Sequence, residues 1–230
     1  MNLTFLGTGS ANNPVLNNTS AYAIFDDTLL LLDCGETVFK SIYENNLLDG
    51  INNLFIVITH FHSDHFGSMG SMLYYSSCIL KKKVFLYFPS AEICSLLKLT
   101  GVPESMYEYC SEVPAGMPFN LAPLEVVHDP MIKCYGYYIS DHKETIFYGG
   151  DSSTIPEDTL VKLRKGIISH VYQDTTYEFS STTQAHGSLE QLDKTIEPEL
   201  RSKITCMHFA SDFTESVKKL GFIPAHAEVR

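Results

Sequence analysis

The chain has no tryptophan and no Cys-x-x-Cys pair, and only 16 lysines and arginines stand against 27 aspartates and glutamates. Each shortage excludes something. Six cysteines, at positions 34, 78, 94, 110, 134 and 206, are scattered without the paired spacing of a zinc ribbon or a redox motif. They read as small buried apolar side chains. The formal net charge of −11 argues against a broad basic face, which proteins that grip long nucleic acids use to neutralise phosphates. The one basic cluster, Lys81-Lys82-Lys83, reads as a solvated turn before a strand, so a large nucleic acid is the less favoured partner. There is no apolar run of about 20 residues, the length that spans a bilayer. The opening Met1-Asn2-Leu3-Thr4-Phe5-Leu6-Gly7 lacks the charged start and long apolar stretch of a secretory signal and reads as a first strand. A cytoplasmic protein with no membrane partner is expected. Low-complexity segments, Gly/Ser linkers and internal sequence repeats are also missing. With 230 residues, 44% of them hydrophobic, the chain suits a single domain spanning 1–230. Gly7-Thr8-Gly9-Ser10 lacks the lysine and spacing of a P-loop, and no serine sits in a nucleophile elbow.

What is present is an ordered set of short β-like runs and helix-like stretches. The β-like runs are Leu3–Leu6, Ala21–Phe25, Leu29–Asp33, Leu54–Thr59, Val84–Phe88, Leu124–Val127, Tyr135–Ser140, Thr145–Tyr148, Ile167–Val171 and Ile204–Met207. Helix-like stretches cover Glu36–Asn45, Gly67–Ser77, Ala91–Leu99, Glu157–Lys165, Leu189–Ile196 and Phe213–Leu220. Gly101, Gly166 and Gly221 follow three of these, where a left-handed residue ends a helix, and Ser188 with Gln191 forms a capping-box pattern. The class is therefore mixed α and β. Periodicity alone does not choose among layered folds. The Tyr-rich pieces, Tyr74-Tyr75 and Tyr135 to Tyr138, read as core and rim packing.

The strongest chemical signal is Thr59-His60-Phe61-His62-Ser63-Asp64-His65, directly after an apolar run. Three imidazoles and a carboxylate within six residues are hard to explain as structure, because each buried histidine needs a partner. His60 and His62 alternate as residues leaving a strand do, so both can point to one ion. Asp64 and His65 come from the following turn and can serve a second. Zinc suits this nitrogen and oxygen donor set, with an open position for water. The segment Phe66 to Gly70 is expected to open a helix whose N-terminal amides face the site.

The His-x-His-x-Asp-His string resembles the signature of the metallo-β-lactamase superfamily. That resemblance implies a four-layer αββα sandwich holding two zinc ions, with manganese as the alternative metal. It also implies further ligands at strand ends. His128, after Leu124–Val127, is similar to the third histidine of the first metal. Asp151, in Tyr148-Gly149-Gly150-Asp151, is similar to the bridging carboxylate, and His208, after Ile204–Met207, to the last ligand of the second metal.

Within the superfamily the chain resembles the RNase Z branch, through Leu3-Thr4-Phe5-Leu6-Gly7-Thr8-Gly9 and Leu32-Asp33-Cys34-Gly35-Glu36. By that resemblance Asp33 is a supporting carboxylate and not a ligand. Ala185-His186-Gly187-Ser188 resembles the branch's histidine loop, so His186 would donate a proton to the leaving oxygen. Asp64 would orient the attacking water and take its proton. Two departures follow. Only 22 residues separate His128 from Asp151, filled by strand-like sequence, so the long arm that holds tRNA is absent from its usual place. The branch's His-Glu before a Thr-Tyr pair appears here as Gln173-Asp174. Asp174 can keep a hydrogen-bonding role, Gln173 cannot reproduce an imidazole, and His170 lies too early to stand in for it.

Without an arm, a small phosphodiester is the expected substrate. The chain is similar to compact RNase Z-like phosphodiesterases that open cyclic nucleotides, including the phage anti-Pycsar proteins. A homodimer is implied by the same resemblance. The rival readings are a tRNA 3′-end processing endonuclease, an ester, thioester or lactam hydrolase of the same superfamily, and a non-catalytic binding protein on a hydrolase scaffold.

Overall fold

The structure is a computed structural model that describes residues 1–178 and 185–228. Two six-stranded sheets form. The first runs β1 (Thr4–Gly7), β2 (Ser20–Phe25), β3 (Thr28–Leu32), β4 (Asn53–Val57), β5 (Lys83–Tyr87) and β6 (Glu108–Cys110), adjacent in that order. The second contains β7 (Asn120–Val126), β8 (Cys134–Ser140), β9 (Thr145–Tyr148), β10 (His170–Asp174), β11 (Ile204–Met207) and β12 (Ile223–Pro224), again in chain order across the sheet. Helices α1 (Val38–Glu44), α2 (Ser63–Phe66), α3 (Met69–Leu73) and α4 (Glu92–Leu99) belong to the first half. Helices α5 (Glu157–Arg164), α6 (Leu189–Thr195) and α7 (Thr214–Lys219) belong to the second.

Strands β3, β4 and β5 are parallel neighbours and almost wholly apolar, as strands covered on both faces must be. Their side chains alternate between two cores, following the two-residue period of a strand. Leu29, Leu31, Leu54, Ile56, Val84 and Leu86 pack with Val38, Met69, Met72 and Ile93 of the covering helices. Leu30, Leu32, Phe55, Val57, Phe85 and Tyr87 pack with Tyr137, Tyr148, Tyr172 and Met207 of the opposite sheet. A third core joins Phe147, Val171, Ile204 and Cys206 to Leu160, Leu163, Leu189, Leu192 and Val217. Three cores between four layers make the αββα sandwich that was expected.

Cys34, Cys110, Cys134 and Cys206 are buried, Cys78 and Cys94 partly so, and all six are free thiols. Ser188 caps α6 by accepting Gln191 N–H at 3.2 Å, and Gly101, Gly166 and Gly221 take positive φ after α4, α5 and α7. Among the described residues no helix is long and apolar enough to cross a membrane.

Several expected boundaries move. The helix anticipated over Gly67–Ser77 opens earlier, at Ser63 inside the His-rich motif. It is interrupted at Gly67-Ser68 and ends in a π-helical turn over Tyr74–Ile79. The strand anticipated over Ile167–Val171 starts three residues later, because Gly166 is followed by a turn that leaves Ile167 exposed. The edge strands β6 and β12 were not expected. Both are too short to show a pattern, and Pro224 is tolerated at an edge, where one N–H is unneeded.

Candidate metal centre

The site residues gather where strands of both sheets end. Asp33 follows β3, and Thr59 and His60 follow β4. His62 stands at the N-cap of α2, which carries Asp64 and His65. From the second sheet come His128 just past β7, Asp151 past β9, Asp174 as the last residue of β10, and His208 directly after β11. Three backbone positions here are left-handed: Asp33 (φ 64°), Gly150 (φ 57°) and His208 (φ 66°). Such turns at non-glycine residues are uncommon, and here they fall at or next to residues of the site.

Three donor groups result: the expected ligands fill two, and Asp151, Asp174, His186 and His208 form the third. In the first, His60, His62, His128 and Asp151 each offer an atom, all within 4.8 Å of one another. His62 Nδ1 lies 2.9 Å from His60 Nε2 and 3.2 Å from His128 Nε2, and Asp151 Oδ2 lies 3.8 Å from both of those Nε2 atoms. In the second group, Asp64, His65, Asp151 and His208 converge. His65 Nε2 is 3.4 Å from Asp64 and 3.2 Å from Asp151. His208 Nε2 is 3.2 Å from Asp64 and 3.4 Å from Asp151. All seven expected ligand residues are thus brought together, with Asp151 common to both groups.

These separations fit metal ligation. Ligands about 2.0–2.1 Å from a tetrahedral zinc stand about 3.4 Å apart, close to the spacings above. His65 Nε2 and Asp151 Oδ1, both buried, lie 3.2 Å apart without an aligned hydrogen bond, an arrangement that suits two ligands of one ion. Three outward nitrogens are hydrogen-bonded, as ligand imidazoles require, and a fourth, His208 Nδ1, faces Asp174 at 3.4 Å. His65 Nδ1–H donates to Asp33 at 2.9 Å, and His128 Nδ1–H donates to the Ala185 carbonyl at 2.8 Å. His60 Nδ1–H donates to Thr59 Oγ1 at 3.0 Å, and that hydroxyl donates onward to Asp33 at 3.0 Å.

Charge points the same way. Burial and the neighbouring imidazoles hold His60 well below the usual histidine range, so it presents a lone pair. For His208, burial pulls downward, but Asp151 and Asp174 outweigh it and push the imidazole up to about 10. Burial alone would raise Asp151, yet His208, His65 and His60 hold its carboxyl well below the carboxylate range. Among the described residues no lysine or arginine is paired with Asp64 or Asp151, so this buried pair of carboxylates favours bound cations.

His186 sits beside these donors at the cavity wall. Its Nδ1–H donates to Asp174 at 2.6 Å, and the same atom is 3.8 Å from Asp151. Its ring stacks on His208 at 5.1 Å. Burial lowers the His186 pKa and Asp174 and Asp151 raise it, with a net upward shift. The cavity has a volume of about 400 Å³ and is lined by Ser10, Ala11, Asn12, Ser63, Thr176 and Ala210 around His62, Asp64, Asp151, His186 and His208. Neither a basic residue nor an aromatic ring other than the imidazoles is among its described lining.

His170, left outside the site on sequence grounds, lies outside it here, paired with Thr205 at 2.7 Å. Sequence reasoning missed three contributors. Thr59 adjoins the motif and could have been suspected. Ser152 carried no signal, and Gln173 stood out only as a departure from the branch's imidazole, because what both do is make hydrogen bonds that no residue type announces.

Comparison with known proteins agrees with this geometry. The family described as anti-Pycsar protein Apyc1 matches residues 1–227. An anti-Pycsar protein Apyc1 of Bacillus phage 010DV004 is 27% identical over 252 residues, covering 97% of this chain and 94% of that one. The metallo-β-lactamase fold protein YhfI of Bacillus subtilis superposes with a TM-score of 0.78 at 17% identity, over 99% of this chain and 97% of that one. The short form of human tRNase Z superposes with a TM-score of 0.67 at 20% identity, over 91% and 93% of the two chains. By sequence, fold and donor set, the chain belongs to the anti-Pycsar protein Apyc1 family and is a metal-dependent hydrolase of metallo-β-lactamase fold.

Proposed function

We propose that the chain is a dinuclear-metal phosphodiesterase that hydrolyses a small phosphodiester, a cyclic nucleotide in particular. The observation that carries this reading is His186. An imidazole braced by a carboxylate stands at the cavity wall 3.8 Å from the carboxylate shared by both donor groups. Expelling a ribose oxygen calls for such a proton donor, because an alkoxide is a poor leaving group.

His60, His62, His128 and Asp151 would hold one ion, and Asp64, His65, Asp151 and His208 the other. Bound there, divalent ions supply Lewis acidity, lowering the pKa of water and offsetting charge on the phosphoryl oxygens. Zinc suits the nitrogen and oxygen donors, with manganese the alternative. Asp64 orients the attacking water and accepts its proton. His186, held at Nδ1 by Asp174, gives the proton of its other nitrogen to the departing ribose oxygen.

The cavity supports a small substrate. Its volume of about 400 Å³ falls within the range of small-molecule sites, roughly 300–1,000 Å³. Between His128 and Asp151 the chain spends its residues on the β8–β9 hairpin, with no arm for tRNA. The same reading includes action in the cytoplasm, supported by six free thiols. It also includes a homodimer, which rests on the resemblance and is tested by sedimentation velocity.

The testing experiment offers metal-replete protein 3′,5′-cyclic mononucleotides, a linear dinucleotide and a 3′-extended tRNA precursor, with His62→Ala as the blank. Metal-dependent opening of the cyclic nucleotide with the tRNA intact is expected. Cleavage of the tRNA with cyclic nucleotides untouched overturns the reading. His186→Ala is expected to keep its metal and lose roughly 10²–10⁴-fold in turnover.

A further inference from the structure

The described part of the loop that presents His186, Ala185 to Gly187, is pinned at each residue. The Ala185 carbonyl accepts His128 Nδ1–H at 2.8 Å. His186 Nδ1–H reaches Asp174 Oδ2 at 2.6 Å. Gly187 N–H donates to the Ser152 carbonyl at 2.9 Å, and the Gly187 carbonyl accepts from Thr176 N and Oγ1 at 2.8 and 2.9 Å. Ser152 is the anchor of this arrangement. It follows Asp151 in the chain, and its own N–H donates to Asp174 Oδ2 at 3.2 Å, the oxygen that His186 uses.

Gln173 holds that anchor. Its side chain is completely buried and lies outside the lining of the metal cavity. Its amide Nε2 donates to the Ser152 carbonyl at 2.9 Å and to the Asp174 carbonyl at 2.9 Å, and Ser152 Oγ donates to Gln173 Oε1 at 3.3 Å. A Cβ placed on Gly187 would stand 3.0 Å from Nε2, so the amide also abuts the loop directly. Two carbonyls, those of Ser152 and Asp174, share this one side-chain donor, and the Ser152 carbonyl accepts Gly187 N–H as well.

We infer that Gln173 is a positioning residue. By joining the backbone after Asp151 to the backbone of Asp174, it fixes where the His186 loop stands relative to the donor groups. The kinetic part of this inference rests on the phosphodiesterase reading, and the hydrogen-bonding part stands without it.

Near-isosteric Gln173→Met removes the donor, and Gln173→His returns an N–H to the same place. Two substrates separate positioning of the acid from general damage: a cyclic nucleotide, whose ribose oxygen needs a proton to leave, and bis(p-nitrophenyl) phosphate, whose phenolate does not. Gln173→Met is expected to lose about tenfold or more in kcat on the cyclic nucleotide and less than about twofold on the aryl diester. Metal content should be unchanged, and Gln173→His should regain most of the loss. Independently of activity, the Gly187 amide should exchange with solvent faster in Gln173→Met than in the wild type.

Equal losses on both substrates, or unchanged Gly187 exchange, overturn the inference. If Gln173→Met does not fold, Gln173→His still decides, because near-wild-type rates on both substrates and a protected Gly187 amide are then required. A wild type inert towards every cyclic nucleotide sinks the phosphodiesterase reading instead, and Gly187 exchange still decides the role of Gln173.

Discussion

At the scale of single residues, Asp33 does more than any group that faces the cavity. Its buried carboxylate accepts Thr59 N–H at 2.7 Å, the Thr59 hydroxyl at 3.0 Å and His65 Nδ1–H at 2.9 Å. Through Thr59 it also fixes the tautomer of His60, so one carboxylate sets which nitrogen a histidine of each donor group turns inward. Burial pushes its pKa up, against the opposing pull of His65 and Thr59. Asp33→Asn puts an amide donor among N–H and O–H donors. Metal affinity is expected to fall about 10- to 100-fold, as read by competition with a chromogenic chelator, and unchanged affinity would mean that Asp33 serves the fold alone. The ligand string was legible because imidazoles are rare and costly to bury in threes. The roles of Ser152 and Gln173 were not legible, since nothing in a serine or glutamine announces which backbone group it will meet.

At the scale of elements, the site depends on how closely the turn after β3 meets α2. A Cβ on Gly35 would stand 1.9 Å from the Asp64 carbonyl oxygen and 2.5 Å from its carbon. Backbone cannot yield as a flexible side chain can. Gly35→Ala is therefore expected to push α2 away, costing about 1–3 kcal/mol or more as overpacking does. Because α2 carries Asp64 and His65, the proposed two-ion centre predicts that ions bound per chain, measured by plasma emission spectroscopy, fall from two towards one. A variant with its full metal content would refute this. The approach was invisible in the sequence, where Gly35 is one glycine among 14. Strand positions were legible where apolar runs ended in turn residues, as for β3, β4 and β9. They slipped at β10, where the apolar pair Ile167-Ile168 begins before the hydrogen-bonded strand does.

At the scale of the whole molecule, the two halves repeat one plan that the sequence does not betray. In each sheet two antiparallel pairings are followed by three parallel ones: β1 to β6 in the first, β7 to β12 in the second. Hydrophobic alternation can be met by many sequences, so a shared topology leaves no shared residues to find. The site lies where the halves meet, and removing its metal should be felt globally. Metal at 100 times its Kd stabilises by about 2.7 kcal/mol. For a chain of this size, chelation is expected to lower Tm by about 5–10 °C. An unmoved Tm would mean that the donor groups hold together by themselves.

The same division has a mechanical consequence. The first donor group takes His60 and His62 from one half and His128 and Asp151 from the other, and the second takes Asp64 and His65 against Asp151 and His208. Neither half owns a complete set. Each ion would act as a rivet through both sheets, two fastenings on either side, and the peptide between β6 and β7 would be a tether that the assembled molecule hardly needs. A break in that tether should leave two fragments that stay clasped while metal is present and drift apart once it is withdrawn.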